Sequence, residues 1–434
     1  MMRTTNPMSQ PDQTSFVQKE PASHGWRTPW VIVLCGCLIS MVTFGVRSDY
    51  GLCVTPLSMT RGWGREVFAF SIALQNLLWG LGQPFAGALA DRFGAARVLA
   101  GGGMLYAAGV VLTATATDPL LLHLGAGVMV GLGLSGAAFA IVIAGFTRLL
   151  PTSWRSTATG LATASGSLGQ FTFAPLGQQF IDVYGWQAAL VILAFGVALV
   201  PLLATALASP PKERESALQV GAVIHEERFI AAMKVALRHP SYLLLTAGFF
   251  VCGFHVAFIT VHLPAYLADN GADPGLAAWS LSMIGLFNVI GAYGAGVLAG
   301  RWPRRWLLSA IYFGRVVAII LFISVPVTSW STLAFAGAMG LFWLSTVPPT
   351  SGLVAVMFGP RHMGMLFGIV FFSHQVGAFL GVWLGGKFYA QSHSYDLMWW
   401  ISIALGLFAT VVHLPIRERA APASAHAQVI AAGQ

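Results

Sequence analysis

Charge is what this 434-residue chain has least of: Asp, Glu, Lys and Arg together make up 9% of it. So little charge cannot cover the surface of a water-soluble protein of this size, which excludes an ordinary soluble globular domain. Cysteine is scarce too. Cys35, Cys37, Cys53 and Cys252 all fall within or beside apolar runs. With no His cluster at metal-ligand spacing they read as buried thiols, and no metal or cofactor is expected. No G-x-x-x-x-G-K-[ST] loop is present, and Gly101-Gly102-Gly103 sits inside an apolar run, so nucleotide hydrolysis has no support. The chain also lacks a nucleophile elbow and a metalloprotease motif, which argues against an enzyme. Residues 1–29 lack the short apolar stretch and small-residue cleavage site of a signal peptide. The first long apolar run is therefore expected to serve as its own insertion signal.

What the chain has in abundance is apolar sequence, 56% of residues, with a mean hydropathy of +0.73. It comes in runs of about twenty residues, the helix length that crosses about 30 Å of hydrocarbon at about 1.5 Å per residue. The runs predict twelve spans near 30–54, 67–89, 97–117, 119–147, 156–180, 187–208, 240–266, 277–300, 307–326, 332–356, 363–388 and 395–415. The net charge of +8 is spread over the loops in a way that points to topology and not to nucleic acid. With the N-terminus placed in the cytoplasm, eighteen of the 23 basic residues fall on the cytoplasmic side. The positive-inside rule then puts both termini there. The longest polar interruption divides the chain into an N-tail (1–29), a first six-helix half (30–208), a central loop (209–239), a second half (240–415) and a C-tail (416–434). Basic, small-residue loops recur at corresponding places, GALADRFGAARV after the second run and GVLAGRWPRRWL after the eighth, as expected of a duplicated, pseudo-symmetric all-α membrane fold. Glycines spaced for close helix contact fill the runs, as in Gly125/Gly127/Gly131/Gly133.

The first of those loops reads Gly87-Ala-Leu-Ala-Asp91-Arg92-Phe-Gly94-Ala-Ala-Arg97. It resembles the G-x-L-a-D-R-x-G-x-x-R signature of the major facilitator superfamily. Gly87 suits close helix packing, Gly94 a tight turn, and Asp91 charge-assisted bonds to basic groups or helix ends. The loop, Arg92 and Arg97 included, could latch the halves on the cytoplasmic side, with loop capping by Asp91 as the structural alternative. Three further segments are similar to the monocarboxylate transporter branch and, more distantly, to oxalate/formate exchangers. These are Phe44–Gly51 with Thr55-Pro56-Leu57 and Gly62–Glu66; Trp154–Gly169 with Ala174-Pro175-Leu176 and Tyr184-Gly185-Trp186; and Val347-Pro348-Pro349 with Phe367-Gly368 and His374–Ala378. The branch's acidic-Gly-aromatic signature is reduced here to His24-Gly25-Trp26, and Asn288 stands in the eighth run where many members have an arginine. The resemblance implies a twelve-helix major facilitator fold working as a monomer in a bacterial inner membrane.

Ionisable residues inside apolar runs are expensive and normally face protein or water. Arg47 is the foremost, able to fork a carboxylate with two parallel hydrogen bonds. The alternative is that it snorkels outward, since roughly 17 residues at about 1.5 Å already cross most of the core. Arg315 could join it in an anion site. Asp49, about 200° around the helix from Arg47, is a candidate proton acceptor or a mouth-lining cap. His255 and His262, seven apart on one helix face, could relay protons or bind a carboxylate, and packing onto a backbone carbonyl is the alternative. Asn288, His374 and Gln375 complete the candidate lining. Pro175, Pro348 and Pro349 could kink their helices. The function these features imply is secondary transport of a small organic anion, a monocarboxylate, coupled to a proton. Anion exchange or efflux by the same fold stands as the alternative, and a non-transporting solute sensor as a distant one.

Overall fold

The computed structural model describes residues 26–208 and 233–420. Residues 1–25 of the N-tail, His24 and Gly25 among them, most of the central loop and the end of the C-tail lie outside the described residues. Ten helical segments are long and apolar enough to cross a membrane. One of them, Thr152–Leu207, has 56 residues and is two spans joined at Gly185, whose φ of 79° and ψ of 161° leave helical space in a region open to glycine. The chain doubles back there. Leu207 packs against Gly145, near the start of the same segment at Thr152. Arg65–Phe93 is long enough at 29 residues but dilutes its apolar content with Gln75, Asn76, Gln83 and terminal charges. Counting it and the folded pair, the described residues form twelve spans. In chain order these are span 1 (Pro29–Arg61), span 2 (Arg65–Phe93), span 3 (Ala95–Thr115), span 4 (Pro119–Leu149), spans 5 and 6 (152–184 and 186–207), span 7 (Pro240–Asp269), span 8 (Pro274–Ala299), span 9 (Arg304–Ile323), span 10 (Ser329–Phe358), span 11 (Pro360–Ser392) and span 12 (Asp396–His413).

The helix starts follow from local chemistry. A capping oxygen followed by proline opens spans 1, 4 and 8: Thr28 accepts from the Val31 amide at 3.4 Å, Asp118 from Leu121 at 3.0 Å and Asp273 from Gly275 at 2.7 Å. Thr328 and Ser331 form a reciprocal capping box at the start of span 10. Several helices run past the expected apolar limits, span 11 from 360 to 392 in place of 363–388, because helices continue where hydrocarbon ends. Some spans expected to be continuous are broken. Span 4 carries a π-helical stretch at His123–Met129 and leaves helical ψ at Ala138, and span 10 is interrupted between Phe342 and Val347.

Packing repeats with an offset of six spans, the mark of two pseudo-symmetric halves. Span 1 lies on span 5 as span 7 lies on span 11; spans 2 and 4 pair as do 8 and 10; spans 3 and 6 pair as do 9 and 12. Two antiparallel seams join the halves, span 2 with span 11 and span 5 with span 8, and the second segment of span 1 rests on span 7. The seams are closed at one end only. A Cβ on Gly80 would lie 2.7 Å from Cβ of Gln375, one on Gly386 would overlap Ala69, and one on Gly285 would lie 2.7 Å from the Ser167 carbonyl. Toward the ends of the seams at Gly94 and Gly300 the spacing is wide. Cβ atoms on Gly87, Gly368, Gly160 and Gly294 would meet nothing within 4 Å.

Candidate functional site

Span 1 is interrupted at Asp49, whose ψ of −14° and amide bond to Val46 at 3.3 Å mark the join between Pro29–Ser48 and Tyr50–Arg61. Arg47 occupies the last turn before this join. It reaches span 2, where Nη2 donates to Asn76 Oδ1 at 2.7 Å and the guanidinium lies 5.1 Å from the centroid of Trp79. Asn76 Nδ2 donates to the Ile72 carbonyl at 2.8 Å, which fixes the amide with its oxygen toward the arginine. Arg47 Nε has no hydrogen-bond partner, and among the described residues no carboxylate is paired with this cation. Arg47 is also partly exposed.

Rings continue from Trp79 across the interface between the halves. Phe44 of span 1 stands 5.8 Å from Trp79, and Phe371 of span 11 stands 5.5 Å from it, both edge-on. Phe371 stacks on His374 at 5.7 Å, and Phe249 of span 7 is 5.2 Å from the same imidazole. His374 Nδ1 lies 3.2 Å from Gln375 Oε1, while Gln375 Nε2 is buried without a partner. The structure thus gathers Arg47, His374 and Gln375 around the seam at Trp79 and Gly80.

The other candidates are not gathered there, although Arg315 touches Cys252, which also neighbours His374. Arg315 is fully buried and serves the break in span 10: Nε and Nη2 donate to the Phe342 carbonyl at 3.1 and 2.7 Å, and Nη2 to the Trp343 carbonyl at 2.5 Å. Its Nη2 also lies 3.4 Å from Cys252 Sγ, and its Nη1 has no partner. Asn288 serves the same break, accepting from the Leu344 amide at 2.9 Å and donating to Ser167 Oγ at 2.7 Å. The break leaves the Phe342 and Trp343 carbonyls and the Leu344 amide outside the helical ladder, so side chains satisfy them instead. Replacing Arg315 by Met is expected to leave the Phe342 carbonyl without its donor and the Trp343 carbonyl with only the Cys252 thiol at 3.9 Å, and to cost about 3 kcal/mol. The check is the melting temperature of the purified protein in detergent, and an unchanged value would remove this account.

His255 Nε2 meets the Ser402 carbonyl at 2.8 Å. His262 Nε2 meets the Val382 carbonyl at 2.9 Å and its Nδ1 the Tyr395 hydroxyl at 3.3 Å. The seven-residue spacing therefore sets the two imidazoles on separate backbone acceptors. Asp49 is fully buried against Gly177 of span 5, with Ser48 Oγ 3.5 Å from Oδ1, no partner at Oδ2 and, among the described residues, no cation paired with it. In the loop motif Asp91 pairs with Arg148 at 2.5 Å, within its own half, and Gly94 turns the chain at φ 86°. Arg92 and Arg97 are exposed. The close packing expected at Gly87 is absent from this conformation.

Sequence reasoning did not single out Asn76, Trp79 or the pairing of Arg65 with Asp269. Asn76 and Trp79 carried a legible signal, since a polar residue and an indole at three-residue spacing share a helix face. The ion pair carried none, because its partners stand 204 positions apart. Arg65 forks Asp269 at 2.7 Å through both Nη atoms, reaches the Tyr395 hydroxyl at 3.4 Å and lies 4.1 Å from the Tyr389 centroid. It ties the halves together at the closed end of the seams.

A sequence model described as Major Facilitator Superfamily matches residues 32–270 and 245–432. The chain is 27% identical to the uncharacterized MFS-type transporter YcxA of Bacillus subtilis, over 91% of this chain and 96% of that one. It is 28% identical to monocarboxylate transporter 13 of Bos taurus, over 85% and 84% respectively. Among solved structures, a D-xylose–proton symporter superposes with a TM-score of 0.69 at 14% identity, covering 90% of this chain and 97% of the other.

Proposed function

The chain belongs to the major facilitator superfamily of membrane transporters, and from that premise we propose that it moves a monocarboxylate by alternating access of its two halves, coupled to a proton. The observation that carries the reading is Arg47. A guanidinium inside the membrane, partly exposed at the junction of the halves and without a carboxylate of its own, has one hydrogen bond to a neutral amide and a free Nε. Such a cation is costly unless an anion visits it. A visiting carboxylate fits the fork and supplies the missing charge. The relative named monocarboxylate transporter 13 supports the same substrate class.

Alternating access is supported by the one-ended closure of the seams. The positive-inside rule assigns the loops near Gly94 and Gly300, rich in arginine, to the cytoplasm with both termini. The Arg65–Asp269 pair then closes the outer end and the cytoplasmic end is open. Asp49 is our choice for the proton carrier. Its charge would lie unpaired in apolar surroundings at a cost of several kcal/mol, and a proton on Oδ2 removes that charge.

Uptake of radiolabelled carboxylates into proteoliposomes tests the proposal, with and without an inward proton gradient and with and without internal anion. Gradient-driven accumulation is the expected result. Uptake that requires internal anion would make the protein an exchanger, and the absence of any carboxylate uptake would point to efflux of another solute. In the same assay Asp49→Asn is expected to abolish accumulation by the gradient while carboxylate exchange persists. Gradient-driven accumulation by this variant would move the proton elsewhere.

A further inference from the structure

We propose that the carboxylate taken at Arg47 bears a single charge and an aromatic ring. This inference rests on the reading of Arg47 as the anion site. The groups next to the guanidinium are nearly all committed or apolar. Both polar atoms of Asn76 are engaged, Oδ1 with Arg47 and Nδ2 with Ile72. The indole N–H of Trp79 donates along its own helix to Gln83 at 3.1 Å, so Trp79 offers ring surface and no hydrogen bond. Phe44 and Phe371 flank that indole from opposite halves, and Phe139 adds a ring 5.7 Å from Phe44. When the halves separate, the Trp79–Phe371 contact opens into two facing ring walls beside the cation.

The chemistry of such a cleft selects by what it leaves unpaired. A hydroxy acid or polyol would strand hydroxyls against rings, and unpaired buried polar groups are the strongest basis for rejection. A ring inserted between Trp79 and Phe371 keeps edge-on and offset contacts like those the two residues make with each other. One free donor, Gln375 Nε2, is available for a single further acceptor on the solute. Among the described residues a second carboxylate meets no further exposed cation deep in the spans: Arg315 is fully buried, with Nε and Nη2 bound to span 10 carbonyls and only Nη1 without a partner.

The test uses the full-length protein in proteoliposomes, comparing phenylacetate and benzoate with pyruvate, L-lactate and oxalate. Phenylacetate is expected to be transported with a KM at least about tenfold below that of pyruvate, and oxalate not at all. Trp79→Leu is expected to raise the phenylacetate KM about tenfold while changing the pyruvate value little, and Trp79→Phe to restore most of the preference. Preference for pyruvate or L-lactate, or an equal loss for both acids in Trp79→Leu, would overturn ring recognition and leave the carboxylate reading intact. Transport of oxalate would overturn the single-charge requirement. Phenylacetate and pyruvate uptake undiminished in Arg47→Gln, or no uptake of any of these acids, would overturn the underlying reading with it.

Discussion

Arg47→Gln is expected to lower carboxylate uptake by about a hundredfold, equal to about 2.7 kcal/mol, the range for a charge-assisted contact to a buried anion. The size follows from the geometry. Glutamine can replace the hydrogen bond to Asn76 but not the charge, and Arg47 is the cation at the interface that has no carboxylate of its own. Arg47→Lys keeps the charge without the planar fork and should fall between the two. Arg47→Gln should melt at or above the wild-type temperature, since removing an unpaired charge from the membrane relieves a cost and breaks no ion pair. The assay is initial uptake rate against carboxylate concentration, alongside a detergent melt. Wild-type uptake by Arg47→Gln would take the anion site away from span 1.

The second large effect concerns the open ends of the seams. The antiparallel register that sets Ala69 against Gly386 and Gly80 against Gln375 brings Gly87 of span 2 level with Gly368 of span 11. Gly160 of span 5 is likewise level with Gly294 of span 8, continuing from Ser167 against Gly285. All four glycines face open space in this conformation. We infer that they are held in reserve for the opposite conformation, in which the cytoplasmic ends close with backbones in contact. Gly87→Leu should therefore leave the melt unchanged, since its side chain meets nothing here, yet hinder closure by about 1–3 kcal/mol. That shifts the balance between the two states roughly tenfold and lowers transport accordingly. A Gly87→Cys/Gly368→Cys double variant should form a disulfide on oxidation when the cytoplasmic end closes, because the bond needs Cα atoms within about 7 Å. The bond should block transport until it is reduced. Ala69→Cys/Gly386→Cys, at the closed end, is the control that cross-links in the conformation described here. An 87/368 pair that stays reduced under every condition, transport included, while the control pair cross-links would rule out this closure.

Glycine at position 87 was expected to pack closely, and the reason it does not is conformational. A motif specifies which residues can approach, and the state of the transporter decides whether they do. The histidines teach a related point. The spacing of His255 and His262 is right for one face, but two helical neighbours can satisfy different backbone carbonyls, Ser402 on span 12 and Val382 on span 11. Arg315 and Asn288 were legible as polar residues in apolar runs. Their task was not, since the break in span 10 that they satisfy, between Phe342 and Val347, appears only in the folded chain.

By itself, then, the sequence determined the twelve spans. Hydrophobic length is a local property, and in lipid the backbone must find its hydrogen bonds inside the protein, mostly within its own helix. It also determined that Arg47 and Asp49 are exceptional, because an ionisable group in an apolar run is costly wherever the helix turns. Only the tertiary structure decided which of the polar residues meet. Arg47 finds Asn76 and Trp79, Arg65 finds Asp269, and Arg315 is taken up by span 10. Those meetings depend on the rotation and register of whole helices, which close packing of small residues sets across the seams and which no single span encodes.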